Sequence, residues 1–128
     1  MKPDKNEEYC RKRMIGIVEK VIVYGKDKKK KEVLARIDTG ATKSSIDAML
    51  AAEMLIGPVK MHKLVRSAHG RTLRPVVKLK IKLSGKIIMK EATIADRSEM
   101  RFGMLIGRNM LDGFLIDPSM DVRKNERK

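Results

Sequence analysis

The sequence of 128 residues contains no tryptophan, two tyrosines, two phenylalanines and one cysteine. With one cysteine, a disulfide within the chain is excluded. No apolar run reaches the roughly 18 residues of a membrane-spanning helix, so no membrane partner is expected. Residues 1–13 are charged and include no apolar signal segment, so we expect a cytoplasmic location. The scarcity of aromatic rings argues against a surface that stacks the bases of a nucleic acid.

Basic residues outnumber acidic ones by 30 to 16, which gives a formal net charge of +14. Such an excess is compatible with a nucleic-acid or membrane partner. The positive charges are spread along the chain, however. One run, 26–31, is expected in a solvated turn, and Lys78, Lys80 and Lys82 alternate along one strand face. Solvated surface is therefore the favoured interpretation, and nucleic-acid binding is possible but not favoured.

The stretch that organises the chain is an apolar strand pattern that ends in Asp38-Thr39-Gly40-Ala41. Three small residues after the carboxylate allow backbone N–H groups to surround it, and Gly40 can adopt conformations that a side chain would forbid. Hydrogen bonds from the backbone would favour the charged form of Asp38. We therefore predict a catalytic carboxylate on this turn. The alternative is an aspartate that ends a strand in an ordinary turn.

A second stretch has the pattern apolar-apolar-Gly-Arg-Asn and predicts a strand that leads into a short helix at 108–111. Its residues are Leu105, Ile106, Gly107, Arg108 and Asn109. Asp-Thr-Gly alone is a weak signal, because three common residues meet often by chance. The two stretches together, in this order, are much stronger evidence than either alone.

Many short β patterns separated by turns predict a mostly β fold, a small closed β-barrel with one or two short helices. The strands are expected at 14–24, 32–37, 59–65, 77–83, 87–95, 100–106 and 114–116. A helix is expected at 46–55, capped by Ser44 or Ser45 with Asp47 in its first turn. The organisation is then an N-terminal arm at 1–13, flexible or ordered by dimerisation, a domain at 14–119 and a charged tail at 120–128.

These features resemble the retropepsin-like aspartic peptidases, and most closely a prokaryotic family that carries the label ATP-dependent zinc protease. The segments that carry the resemblance are Ile-Asp-Thr-Gly-Ala at 37–41, Arg-Pro-Val-Val at 74–77, Leu-Ser-Gly at 83–85, Met-Arg-Phe-Gly-Met-Leu-Ile-Gly-Arg at 100–108 and Phe-Leu-Ile-Asp-Pro at 114–118. The resemblance implies a barrel of the retropepsin type that works as a homodimer. It also implies an aspartic endopeptidase that cleaves extended peptides or unfolded proteins.

The resemblance assigns a role to each site residue. Asp38 is the catalytic group of each subunit, Thr39 braces the partner's turn, Gly40 approaches the substrate backbone and Ala41 keeps the next pocket small. Leu105, Ile106, Gly107, Arg108 and Asn109 support the turn. The flap tip that would close over the peptide is Ser67, Ala68, His69, Gly70 and Arg71.

One position departs from the retroviral pattern. Retroviral proteases carry an aspartate just after Asp-Thr-Gly-Ala, where it pairs with the arginine of the second stretch. Thr42 occupies that position here. Arg108 is therefore expected to find another acceptor, such as a backbone carbonyl, Asp112 or Asp117.

The zinc label has no support in the residues. A catalytic zinc ion needs about three clustered protein ligands, and the candidates are His62, His69 and Cys10. The Gly-Lys-Ser/Thr loop of nucleotide-binding proteins is also missing from the sequence. We therefore expect no metal and no cofactor. The alternative function is a non-catalytic dimer of the same fold that binds a peptide, a protein or a nucleic acid.

Overall fold

The computed structural model describes residues 12–68 and 70–125, and most of its regular structure is β-strand. Its strands are β1 (Arg13–Ile15), β2 (Val18–Tyr24), β3 (Lys30–Ile37), β4 (Ser44–Asp47), β5 (Met61–Ser67), β6 (Gly70–Leu83), β7 (Lys86–Ala95), β8 (Met104–Ile106) and β9 (Phe114–Ile116). Its helices are α1 (Ala48–Glu53), a 3₁₀ helix (Arg108–Met110) and α2 (Val122–Asn125). Most of the expected N-terminal arm, Cys10, His69 and the end of the expected tail lie outside the described residues.

Six strands close into a barrel in the order β2-β3-β8-β4-β7-β6, and β6 pairs back with β2. Residues 21–24 of β2 lie opposite 80–83 of β6 in this closing pair. The β5–β6 hairpin extends from the barrel, because β6 pairs with β5 over residues 70–76 and begins to pair with β7 at Val76. β1 and β9 form a separate parallel pair. The prediction of a small closed, mostly β barrel is confirmed.

The barrel interior is filled by the apolar side chains of alternating strand positions. In β6, Val77, Leu79, Ile81 and Leu83 are buried, whereas Lys78 and Lys80 between them are exposed. This period of two is the pattern of a strand with one face in the core. Burial of each such aliphatic side chain contributes about 1.5–3 kcal/mol. The other strands add Val21, Val23, Ala35, Ile37, Ile46, Ile88, Ala92, Met104 and Ile106 to the same core.

The prediction of one continuous strand at 14–24 is wrong, because the strand is interrupted at Gly16, between β1 and β2. The backbone of Met120 lies against Gly16, where an added Cβ would be 2.1 Å from the Met120 carbonyl oxygen. The N–H of Ile17 donates to that same carbonyl at 2.8 Å, and the N–H of Gly16 donates to the Glu19 carboxylate at 2.7 Å. The C-terminal segment therefore interrupts the strand by packing across it.

The predicted start of the first helix is also wrong. Ser44 and Ser45 lie in β4, and α1 begins after Asp47, whose carboxylate accepts a hydrogen bond from the N–H of Met49 at 3.2 Å. β4 pairs with β7 on one side and with β8 on the other, so its backbone is held between two strands that are distant in sequence. Tertiary pairing thus overrides the local preference of serine for a helix cap.

Other boundaries shift by a few residues. β5 begins two residues later than expected, β6 extends back to Gly70, and β8 is limited to Met104–Ile106. The 3₁₀ helix and β9 lie where the sequence predicts a short helix and the last strand. The domain boundaries remain a prediction.

The segment expected as a charged tail contains α2 and a buried ion pair. Asp121 is only 7% exposed, and its carboxylate accepts hydrogen bonds from the Arg123 backbone N–H and guanidinium, the shortest at 2.6 Å. The Arg123 guanidinium lies 5.1 Å from the centre of the Phe102 ring. Hydrogen bonds from Arg123 lower the pKa of Asp121 to about 2. This pair fixes the C-terminal segment that covers Gly16.

We expect Asp121→Asn to lower the thermal midpoint of unfolding at neutral pH. The difference from wild type should shrink as the pH falls from the ordinary carboxyl pKa of 3.8 to about 2. Stability from a depressed carboxyl pKa is present above the unfolded-state pKa and is lost as the native carboxylate protonates. Thermal unfolding followed by circular dichroism across this pH range measures the effect. Glu99→Gln, at an exposed carboxylate, is the control, and an Asp121→Asn deficit that stays constant to the acid end would contradict the assignment.

Candidate active site

The Asp38 turn follows directly from the last residue of β3. The N–H of Asp38 donates to the carbonyl of Ile106 at 2.9 Å, which continues the β3–β8 pairing by one residue. The N–H of Gly40 donates to Asp38 Oδ1 at 2.9 Å, and a Cβ at Gly40 would lie only 3.2 Å from that oxygen. Asp38 is half-buried, while Thr39 and Gly40 are exposed. The carboxylate is thus oriented by the backbone and remains accessible.

The turn is supported from behind by the backbone that follows β8. The N–H of Arg108 donates to the carbonyl of Ala41 at 2.8 Å, and the N–H of Asn109 donates to the carbonyl of Thr42 at 3.1 Å. A Cβ at Gly107 would lie 2.5 Å from the Lys43 carbonyl oxygen, so a side chain there would push the two segments apart. The structure therefore brings together the two stretches that the sequence singled out.

β8, the strand that leads to this contact, lies between β3, which ends at the Asp38 turn, and β4. Leu105 pairs with Arg36 of β3 and with Ser45 of β4, and Ile106 pairs with Ile37. Ile106 is fully buried in the core. The residues predicted as structural support thus lie next to the Asp38 turn.

A buried serine, Ser44, which the sequence suggested only as a helix cap, connects these segments. Ser44 Oγ accepts from the N–H of Gly107 at 3.0 Å and donates to Asn109 Oδ1 at 2.9 Å. The Asn109 side-chain amide then donates to the Glu91 carbonyl at 2.7 Å, which ties the 3₁₀ helix to β7. The sequence signal for Ser44 was read as a helix cap. Only the position of β4 between β7 and β8 shows its true partner.

The acceptor of Arg108 differs from the expectation. Its Nη2 donates to Thr42 Oγ1 at 3.0 Å, so neither Asp112 nor Asp117 takes this role. The Asp117 carboxylate instead accepts from the N–H and hydroxyl of Ser119. The threonine that replaces the retroviral aspartate is therefore itself the partner, and a neutral hydroxyl takes the place of a carboxylate. Both residues are exposed.

The predicted flap residues lie at the tip of the β5–β6 hairpin. Ser67 pairs with Gly70, and Arg66 pairs with Arg71, and Ala68 lies in a turn after β5. Gly70 has a φ of +109°, a conformation that L side chains rarely adopt. His69 itself lies outside the described residues. The structure places a hairpin at this position, and its action as a flap remains a prediction.

A groove with a volume of about 390 Å³ separates the Asp38 turn from the β5–β6 hairpin. Ala41 and Thr42, which follow Asp38, lie on one side, and Leu64 and Val65 of β5 lie on the other. Five of its lining residues are basic, and none is acidic. These basic residues are Lys43, Lys63, Arg66, Arg74 and Arg97. We call this space the basic groove.

A second cavity of about 340 Å³ adjoins the basic groove, because Lys43, Lys63 and Thr93 line both. Its other walls are largely aliphatic, with Met61, His62, Val76, Glu91 and Ala92 around it. The Lys43 ammonium lies 3.7 Å from the Glu91 carboxylate. The two cavities together offer space for several consecutive residues of an extended chain.

Arg97 is the most buried basic residue of the groove, and no sequence pattern distinguishes it from the other arginines. Its Nε donates to the Phe102 carbonyl at 3.0 Å, and its backbone N–H donates to the Asp47 carboxylate at 2.8 Å. Burial, followed by the positive charge of Arg74, lowers the pKa of Arg97, while the Asp47 carboxylate acts in the opposite direction. Its guanidinium is thus held at the groove wall by the Phe102 carbonyl, and its backbone is held by Asp47.

Ser45 lines the same groove and is 6% exposed. Its buried hydroxyl has no hydrogen-bond partner among residues 12–68 and 70–125.

Among the described residues, no group of three His, Cys, Asp or Glu side chains is placed to hold a metal ion. His62 lies on β5 at the second cavity. In the same part of the chain, no helix has the length and apolar character needed to cross a membrane.

The sequence model of the RimB-like family, described as the retropepsin-like aspartic endopeptidase RimB, matches residues 51–126. The chain belongs to the RimB-like family. The match includes the β5–β6 hairpin and the supporting segment at 105–109. It begins after Asp38, so the assignment of that residue as catalytic depends on the geometry of its turn. No curated protein sequence matched the chain.

Two solved structures have the same fold. A Legionella pneumophila protein of unknown function is 22% identical, with a TM-score of 0.61 over 84% of this chain and 95% of that one. The EIAV protease, in complex with the inhibitor HBY-793, is 19% identical, with a TM-score of 0.59 over 73% of this chain and 83% of that one. The predicted retropepsin-type barrel is confirmed.

The Ser44 contacts lead to a matched pair of variants. Ser44→Ala leaves the buried Gly107 N–H without its acceptor, so we expect a loss of about 1–3 kcal/mol in the free energy of unfolding. Ser45→Ala removes a buried hydroxyl that has no partner in the described structure, so it should be neutral or slightly stabilising. Urea denaturation of both variants measures the difference. Equal losses would show that the Ser44 hydroxyl does not support the site.

Proposed function

We propose that this protein is an aspartic endopeptidase that cleaves extended peptides or unfolded proteins and uses Asp38 from each subunit of a homodimer. The observation that carries the proposal is the accessible Asp38 carboxylate, oriented by Gly40 on a turn that lines the basic groove. Membership of the RimB-like family and the retropepsin fold support it. The cytoplasmic location is part of the proposal.

The chemistry explains why a dimer is required. Peptide hydrolysis by this mechanism uses one carboxylate to take a proton from water and another to donate a proton to the carbonyl oxygen. The two share one proton, because like charges about 3 Å apart cannot both ionise. The chain supplies one such turn. A two-fold axis between two Asp38 side chains supplies the second carboxylate through an interface that is the same on both subunits.

The neighbouring residues have supporting roles in this proposal. Thr39 is exposed beside Asp38 and would hydrogen-bond across the axis to the partner's turn. Gly40 leaves room for the substrate backbone next to the carboxylate. Ala41 lines the groove with a small side chain. The pair of carboxyl groups should then titrate with two macroscopic pKa values and an acidic to mildly acidic optimum of activity.

The hairpin would hold the substrate. A peptide in extended conformation can add to the groove as a strand, with its main chain hydrogen-bonded and alternate side chains in the two cavities. The tip at 67–71 would close over it and exclude water.

The charge of the basic groove selects among peptides. Five cationic side chains surround the space next to the catalytic turn. An acidic substrate side chain would replace water around these cations by charge-assisted hydrogen bonds, which are stronger than neutral ones. We therefore propose that peptides with acidic residues near the cleaved bond are preferred.

The alternative is a retropepsin-fold dimer that binds a peptide, a protein or a nucleic acid without cleaving it. The hydroxyl that replaces a carboxylate at Thr42, together with the basic groove, is the observation that favours it. The two functions differ in their dependence on Asp38. A binding module tolerates Asp38→Asn, and its affinity falls steeply with salt.

We expect Asp38→Asn to abolish cleavage, because the amide can neither take nor share the catalytic proton. The assay uses an unfolded, fluorescently tagged protein at acidic to neutral pH, with analytical ultracentrifugation of both proteins to check that the dimer persists. Asp112→Asn is the control, since its carboxylate is exposed beyond the 3₁₀ helix. Equal cleavage by wild type and Asp38→Asn would rule out the catalytic assignment. A wild-type dimer that cleaves at no pH would favour the binding module.

A second measurement tests the role of groove charge. Arg74→Gln should raise the KM for a peptide with acidic residues about tenfold, because a hydrogen bond to a charged group contributes about 1.5 kcal/mol or more. The KM for an uncharged peptide of the same length should change little. Arg101→Gln, at an exposed arginine that does not line the groove, is the control. If both variants change both substrates equally, the groove does not select by charge.

A further inference from the structure

A row of cationic and aromatic side chains crosses the outside of the barrel, remote from the groove. Tyr24 lies directly opposite Lys30 of β3 on one side and opposite Lys80 of β6 on the other. Residues that face each other in neighbouring strands project from the same side of a sheet. Lys30 and Lys80 therefore flank Tyr24, about 10 Å apart across two strand spacings. Lys78 and Lys82 extend the row along β6.

The turn between β2 and β3 adds to this surface. Lys26, Lys28 and Lys29 are all exposed in it. Lys26, Lys78 and Lys80 also border one shallow hollow of about 180 Å³, with Tyr24 and Met89 in its wall. We call the combined surface the lysine face. It consists of Lys26, Lys28, Lys29, Lys30, Lys78, Lys80 and Lys82.

The pairing of β2 with β6 creates this surface. In the sequence, the two groups of lysines are about 50 residues apart and look like separate solvated positions. The strand pair that closes the barrel places Lys80 next to Tyr24 and Lys82 next to Ile22. The Lys80 ammonium lies 5.1 Å from the centre of the Tyr24 ring, a cation–π contact that holds it at the rim of the hollow.

Few acidic groups offset this charge. Asp27 lies in the turn, and Glu32 and Glu91 border the lysine face. Glu32 lies 3.9 Å from the Lys20 ammonium, and Glu91, which lies opposite Lys78 in the β6–β7 pair, is 3.7 Å from the Lys43 ammonium. The face therefore keeps a positive excess, within a chain whose net charge is +14.

We propose that the lysine face binds the sugar–phosphate backbone of a nucleic acid. Phosphate contacts by lysine need neither base stacking nor base-specific hydrogen bonds, so the scarcity of aromatic residues does not oppose this mode of binding. The hollow between Lys26, Lys78 and Lys80 offers three ammonium groups to one region of the backbone. Binding is then independent of nucleotide sequence and strongly dependent on salt.

The lysine face is separate from the candidate active site. Lys30 begins β3, and Asp38 follows its last residue, so the strand of eight residues places them about 26 Å apart. A nucleic acid on the lysine face leaves the basic groove open. The interaction therefore goes beyond the proposed peptidase activity, and either can hold without the other.

The test measures binding of a fluorescently labelled DNA duplex and a labelled RNA hairpin by anisotropy over a series of salt concentrations. The variant is Lys26→Gln/Lys78→Gln/Lys80→Gln. Its matched control, Lys12→Gln/Lys90→Gln/Lys124→Gln, removes the same charge from exposed positions outside the face. We expect the first triple variant to bind the duplex at least tenfold more weakly at low salt. The slope of log K against log salt should fall by about 2–3, since each lost phosphate contact removes about 0.9.

Two further variants control for misfolding and for a contribution of the candidate active site. Replacing the same three lysines by arginine keeps the charge and should keep the affinity, which guards against a loss caused by misfolding. Asp38→Asn should bind like wild type. Loss of binding by Asp38→Asn would overturn the separation of the two surfaces.

Three results would overturn the proposal itself. The first is a wild-type protein that binds neither nucleic acid at low salt. The second is an equal loss in the two glutamine triple variants, which would indicate net charge alone. The third is binding to phosphatidylserine vesicles, with loss in the lysine-face variant, in the absence of binding to either nucleic acid. That result would assign the surface to an anionic membrane.

Discussion

The contact between the Asp38 turn and the backbone after β8 determines the geometry of the candidate site. The carbonyls of Ala41 and Thr42 accept from the N–H groups of Arg108 and Asn109. That approach is possible because Gly107 has no side chain to separate the two segments. The position of Asp38, the wall of the basic groove and the insertion of β4 beside β8 all follow from this contact. A catalytic carboxylate needs such a rigid frame, because errors of about 1 Å in the position of reacting groups are costly.

Local sequence patterns were sufficient to predict the β-barrel and the position of the Asp38 turn. The alternation from Val77 to Leu83 identifies a half-buried strand because a strand has a period of two. Asp38-Thr39-Gly40 identifies the turn because small residues permit backbone donors to reach a carboxylate. Contacts between distant segments were not predictable in this way. Ser44 and Ser45 look like helix caps until β7 and β8 enclose them, and the Arg108 partner at Thr42 requires the docked turn. The strand break at Gly16 depends on Met120, more than 100 residues away.

Positive charge is divided between two surfaces that differ in construction. In the basic groove, Arg97 is buried, its guanidinium donates to the Phe102 carbonyl and its backbone N–H donates to Asp47, so both ends of the residue are held. On the lysine face, all the lysines except the half-buried Lys82 are exposed, and Lys80 contacts an aromatic ring. A fixed guanidinium suits the selection of one side chain, whereas mobile ammonium groups suit a long polyanion of variable shape. In our two proposals, the same excess of basic residues serves two kinds of recognition.

One strand, β6, contributes residues to the hairpin, the basic groove, the core and the lysine face. Its 14 residues span about 46 Å. They begin at the hairpin tip, pass Arg74 in the groove, enter the core at Val76 and carry Lys78, Lys80 and Lys82 on the outside. Before Val76 the strand pairs with β5 alone, from Val76 onward it pairs with β7, and from Lys80 onward it pairs with β2 as well. If the hairpin closes over a peptide as we propose, its motion is therefore confined to the residues before Val76, while the part of β6 that carries Lys78, Lys80 and Lys82 stays in the barrel.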